Sequence, residues 1–234
     1  MSEEFKDTIV VIFLVMVAAV ILYPFWGGGK IFLDADVTNY YYPIFEFYSG
    51  ALKSGGSFLW TPLIYSGFPI YLSQVAGFLD PLNYLLFSYF SATNAYHLRL
   101  FIDFALLFIL AYLAGRAFGI SRLASMLIGP SWFSAFHWMN FSNVLVANTL
   151  FLLPLLFWVF KKQLAQKFFW HKTGWFLLGG FGIGWALLAG NAQMTVYALF
   201  LFSLFWILYF FFAYTDVNPV RTGAPRPANG SIKL

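Results

Sequence analysis

Apolar residues fall along this chain in long blocks separated by short polar or glycine-rich breaks. Ile9 to Trp26 is the first block, closing on Tyr23, Pro24, Phe25 and Trp26, an aromatic group suited to a membrane interface. Later blocks run from Tyr96 to Ala114, Ala124 to Met139, Asn143 to Phe160, Gly174 to Ala189 and Met194 to Tyr214. Blocks near or above roughly 18 residues with few charges predict spanning helices. The pattern therefore predicts about six transmembrane helices, the third interrupted at Gly129 and Pro130. The first block exceeds the usual ~7–15-residue core of a signal peptide, and no small-residue cleavage site follows, so a retained helix is expected.

Residues 27–95 read differently, as one long loop with helices of its own. Pro43 suits the start of a helix, Lys53 suits its last turn, and Ser54, Gly55 and Gly56 stop it. Ile44, Phe45, Tyr48 and Leu52 recur at helical spacing, so residues 43–53 predict a one-sided helix lying along the membrane surface. The stretch from Trp60 to Pro69 carries two prolines and a glycine and excludes a long regular element. Asp80-Pro81 with Asn83 predicts a turn and helix cap, with lining of an acceptor groove as the alternative, and Tyr84 to Phe90 is too short to span.

Composition agrees with the pattern. The 234 residues are 61% hydrophobic, 23% aromatic and 9% charged, whereas a soluble domain carries about a quarter charged residues. An all-α integral membrane protein is the class this predicts. The net charge of +4 comes largely from short loops, which excludes a contiguous nucleic-acid-binding face. The absence of cysteine excludes disulfides, thiol nucleophiles and thiolate metal sites.

Charge also sets an expected orientation. With six spans, Arg116, Arg122, Lys161, Lys162, Lys167 and Lys172 fall on one side, expected to be cytoplasmic. Residues 1–8 then form a cytoplasmic lead, residues 9–26 the first span, residues 27–95 an extracytoplasmic loop and residues 96–214 five further spans. Residues 215–234 are small and turn-forming, and predict a disordered cytoplasmic tail. That tail, directly after a complete span, suggests a truncated chain.

Candidate chemistry gathers at the loop and the outer ends of the spans. Asp34 and Asp36 follow the first span; they are placed to act as a general base or to hold a divalent cation such as magnesium or manganese. The bland alternative is a pair of solvated loop carboxylates. Arg99 and Asp103, four apart, are either an intrahelical ion pair or a phosphate-binding arginine oriented by its aspartate. Lys53 is a further phosphate contact or a helix C-terminal charge, and Tyr41, in the same loop, is a further candidate substrate-binding residue. Asn191 and Gln193 are sugar-binding amides or a plain helix connection. His97 and His137 lack partners at metal-ligand spacing, which disfavours zinc.

Four pieces, in order, resemble the bacterial YfhO-like membrane proteins and through them the GT-C class of glycosyltransferases. They are Asp34/Asp36 leading to Tyr41-Tyr42-Pro43, the Trp60-Thr-Pro to Gly67-Phe-Pro69 loop, Gly77-Phe-Leu-Asp-Pro-Leu-Asn83, and Ala189-Gly-Asn-Ala-Gln193. The resemblance implies sugar transfer from a polyprenyl-phosphate donor to a cell-envelope acceptor (glycopolymer, lipid or protein), with Asp34 or Asp36 as base. Relatives are usually much longer, and they often have histidine and proline where this chain has Asn191 and Ala192. A non-catalytic transporter or assembly subunit, or an inactive fragment of a longer transferase, are the alternatives to that activity.

Overall fold

The structure, a computed structural model, describes residues 2–26, 37–64, 66–70, 77–140 and 147–217. Helices dominate it: α1 (Glu3–Trp26), α2 (Tyr42–Ser54), α3 (Pro81–Tyr89), α4 (Ala92–Ala117), α5 (Arg122–Asn140), α6 (Leu152–Ala165), α7 (Phe169–Leu188) and α8 (Ala192–Val217). A short π-helical turn, Val37–Tyr41, leads into α2. Among the described residues, three helical stretches are long and apolar enough to cross a membrane: Glu3–Tyr23, Ala92–Ala117 and Ala192–Phe212.

Local signals account for most of the helix ends. Ser91 caps α4 by accepting from the Asn94 N–H at 3.3 Å. Asp80 caps α3 by accepting from the Leu82 N–H at 2.9 Å, with Pro81 at the first position, where a missing N–H costs nothing. Gly55 ends α2 in the left-handed conformation, φ 69°, which a side chain resists. The polar lead is itself helical from Glu3, since α1 runs from Glu3 to Trp26. The fourth apolar block differs from expectation. Residues 148–151 form a turn and α6 starts only at Leu152, with Asn148 and Thr149 buried inside the fold. Pro154 sits in the first turn of α6, where its lost donor is harmless.

The central element is α4, which packs against α1, α5 and α6 and also touches α2 and α3. It is largely enclosed, whereas α1 and α8 keep most of their apolar surface exposed, as lipid-facing helices do. One core cluster joins α1, α2, α3 and α4 through Leu14, Phe45, Phe87, Tyr96 and Phe104; a second joins α6, α7 and α8 through Leu152, Leu155, Ala186 and Ala198. On α2 the expected stripe is the buried one: Ile44, Phe45 and Tyr48 are buried, and Phe45 stacks on Phe87 at 5.0 Å.

Small residues let α4 and α5 approach. A Cβ on Gly129 would lie 2.8 Å from the Phe108 Cα, and one on Gly115 would lie 2.7 Å from the Ser125 Oγ. Between α2 and α3, Trp60 to Phe68 closes on itself. Thr61 and Phe68 exchange backbone hydrogen bonds at 2.9 and 2.8 Å, and the Trp60 indole lies over Gly67, whose φ is 128°.

Gly129→Ala pushes against backbone that cannot yield and should cost about 1–3 kcal/mol. Gly174→Ala, where a Cβ meets nothing within 4 Å, should be neutral or slightly stabilising. Thermal unfolding of the two purified variants in detergent checks the contrast; equal midpoints would contradict the close α4–α5 packing.

Candidate functional site

Two aspartates and an arginine are buried together where α3, α4 and α7 meet. The Arg99 Nε–H donates to both oxygens of Asp103, at 3.1 and 2.9 Å, one turn further along α4. The other arm of the guanidinium reaches out of the helix. Its Nη1 donates to the Asp80 carboxylate and, at 3.0 Å, to the Asn83 amide oxygen. Arg99, Asp103, Asp80 and Asn83 are 1%, 1%, 0% and 0% exposed. Such burial is tolerable because each carboxylate meets the guanidinium, and Asp80 has further donors besides.

Asp80 collects bonds from three elements. One oxygen accepts from the Leu82 N–H at 2.9 Å and from the Trp185 indole N–H of α7 at 3.0 Å; the other takes Arg99. Asn83 completes the ring by donating to the Gly77 carbonyl at 3.0 Å. Gly77 itself has φ 63°, and a Cβ there would lie 2.4 Å from the Ala189 carbonyl oxygen, so only glycine allows the contact. Asn148 donates to that same carbonyl at 3.1 Å. The Tyr48 hydroxyl donates to the Phe78 carbonyl at 2.9 Å, and burial together with the nearby Asp80 charge raises its pKa, so it stays a donor.

The residues expected from the sequence divide clearly. Asp34 and Asp36, the expected base and metal ligands, lie outside the described residues. Arg99 and Asp103 are brought together, but Asp80 occupies the arm that a carrier phosphate would need. Lys53, expected as a phosphate contact or as the end charge of its own helix, donates at 2.7 Å to the Phe90 carbonyl at the C-terminal end of α3. Asn191 accepts from the Met194 N–H at 3.0 Å and caps α8, while Gln193 is exposed and donates to the Tyr197 hydroxyl at 2.6 Å. Tyr41 is half-buried beside Tyr40, with ring centroids 5.0 Å apart. His97 is buried beside Tyr96, and the His137 side chain lies outside the described residues. Among the described residues, no group of three His, Cys, Asp or Glu could hold a metal ion.

Sequence reasoning took Asp80 for a local cap and overlooked Trp185 and Asn148. The available signal was the polar-tipped Trp185 near the C-terminal end of a glycine-rich apolar block.

Beside this cluster an apolar groove of about 770 Å³ runs between α3 and α7, lined by Leu82, Leu85, Phe181, Gly184, Trp185 and Leu188 among others. Trp185 forms part of its wall while its N–H points to Asp80. The arrangement joins an oily slot to a buried ionic centre.

Arg99→Met leaves two buried carboxylates uncompensated and should cost about 3–5 kcal/mol, whereas the triple variant Asp80→Asn/Arg99→Met/Asp103→Leu should recover most of that loss. Chemical denaturation in mixed micelles measures both, and a triple variant no more stable than the single one would refute the electrostatic account. The chain matches no protein-family model, no curated protein and no solved structure, so the chemistry of the site rests on these residues.

Proposed function

We propose that this chain is a GT-C-like membrane glycosyltransferase, or the membrane core of one, that takes a sugar from a polyprenyl-phosphate donor. The observation that carries the reading is the apolar groove between α3 and α7 beside Asp80 and Arg99. A lipid-linked sugar has an oily tail and a charged head, and such a groove suits the tail. Two of the four pieces that carry the family resemblance also adjoin here, with Gly77 against Ala189.

In this reading the molecule crosses the membrane about six times, with both termini cytoplasmic and the loop of residues 27–95 outside. Asp34 or Asp36 removes the proton from an acceptor hydroxyl, whose oxygen attacks the anomeric carbon of the sugar. The bond from that carbon to the phosphate oxygen breaks and the polyprenyl phosphate leaves. If a divalent cation such as magnesium or manganese is bound, Asp34 and Asp36 are the residues that would hold it, and it would supply positive charge for the leaving phosphate. Asp80, Arg99 and Asp103 act as positioning residues that hold the segment 77–91 on α4 and α7.

A second reading, a non-catalytic membrane subunit, is favoured by one observation. The buried charges of Asp80, Arg99 and Asp103 are spent on one another, as in a structural fastener.

Sugar transfer by the purified chain in lipid, from a polyprenyl-phosphate sugar to envelope acceptors, separates the two. Removing the base should lower the rate by about 10²–10⁴-fold in Asp34→Asn or Asp36→Asn with the fold intact. Full activity in both variants removes these residues from the chemistry, and no transfer by the wild-type chain favours the subunit.

A further inference from the structure

The turn joining α6 to α7 carries positive charge that nothing in the described structure answers. Lys162, Lys167 and Lys172 are exposed there, and no Asp or Glu occurs in the sequence between Asp103 and Asp216. Among the described residues, the ion pairs involve Lys6, Arg99, Arg116 and Arg122 and none of these lysines. The neighbouring Lys161 is already engaged, its ammonium lying 5.2 Å from the Phe118 ring centre and 5.7 Å from that of Tyr209. Arg116 and Arg122 are likewise answered by Asp7 and Glu3. Among the described residues, Lys53 is also outside any ion pair but donates to the Phe90 carbonyl, so the lysines with no ion pair, ring contact or side-chain hydrogen bond gather at this corner.

That corner is also unusually apolar for so basic a turn. Phe168, Phe169 and Trp170, set between Lys167 and Lys172, are 70%, 71% and 80% exposed. Exposed aromatic rings interleaved with lysines fit a headgroup layer, where rings sit among glycerol and ester groups and ammonium ions meet phosphate. A groove of about 450 Å³ opens at the same place, lined by Gln166, Trp170, His171, Gly174, Trp175 and Leu178. It mixes an amide, an imidazole and indole N–H donors with an apolar wall. A Cβ on Gly174 would touch nothing, so the groove is unobstructed there.

We infer that this corner binds an anionic phospholipid, with the phosphate at Lys167, Lys172 and His171 and the acyl chains along the groove wall of Trp170, Trp175 and Leu178. Charge selects the headgroup, since three lysines without carboxylate partners attract a phosphodiester bearing net negative charge and gain less from a zwitterionic one. The apolar wall selects a lipid over free phosphate, which would leave Trp170, Trp175 and Leu178 facing water. An acidic protein would satisfy the lysines but give no lipid preference.

Native mass spectrometry of the purified full chain in detergent, titrated with phosphatidylglycerol or phosphatidylcholine of matched acyl chains, tests this. Phosphatidylglycerol should bind several-fold more tightly. Lys167→Gln and Lys172→Gln should each weaken it about fivefold while leaving phosphatidylcholine unchanged. Lys6→Gln, at a lysine already paired with Glu3, should have no effect. Added salt should erode the preference in the wild-type chain, a readout that needs no variant to fold. Equal affinity for the two lipids, or a preference that survives Lys162→Gln/Lys167→Gln/Lys172→Gln, overturns the proposal. Competition by glycerol phosphate as strong as by the lipid overturns the lipid assignment in favour of a small-anion site.

Discussion

The guanidinium of Arg99, enclosed between Asp103 on its own helix and Asp80 on the segment before α3, sets the terms for the rest of the fold. Removing an ion from water costs several kcal/mol even after relaxation, and near hydrocarbon no water can substitute for a lost partner. The partners must therefore hold position. Asp80 is fixed by its own cap to Leu82 and by the Trp185 indole, and Asn83 by Gly77. Through these bonds one arginine ties the loop segment to α4 and α7 together. The aromatic packing of Phe45, Phe78 and Phe87 then closes α2 over the same segment.

A second polar fastener lies at the opposite end of α4. Asp7 of α1 meets Arg122 at 2.8 Å and the Tyr112 hydroxyl, and Glu3 meets Arg122 at 2.6 Å and Lys6 at 2.7 Å. Among the described residues between the two fasteners, α4 meets α1 and α5 largely through aliphatic, aromatic and glycine contacts. In lipid such contacts lack the drive that burial supplies in water, because the surroundings are equally apolar. Close packing at Gly115, Gly129 and Gly182 supplies the dispersion energy, and the charged ends restrict which faces can meet.

How much was legible in the sequence depended on the range of each interaction. The helix at 43–53 was legible because Pro43, Lys53 and the glycine stop act within a turn or two, and α2 covers Tyr42–Ser54. The cap by Asp80 was legible for the same reason, but its bond to Trp185 spans 105 positions and was not. Lys53 illustrates the limit from the other side. Its place at a helix C-terminus was correct, yet the carbonyl it reaches belongs to Phe90, beyond α3. The start of α6 was misplaced because Val144 to Phe151 is as apolar as a span, and only the buried polar pair Asn148 and Thr149 marks the turn. For the candidate site, Arg99 and Asp103 were legible as a pair through their i,i+4 spacing, while Asp80 was hidden by its local role.

Hydropathy, capping and glycine stops are properties of neighbours along the chain, so the sequence alone determined the all-helical membrane class and the approximate place of most helices. It also determined which end of the bundle gathers lysine and arginine, because short basic turns are visible without knowing how helices pack. Tertiary structure alone decided which buried charges answer each other. That choice depends on the face each helix turns toward its neighbours, and an ion's partner is set by distance in space, with Asp80 reaching Arg99 and Trp185 across segments far apart in the chain.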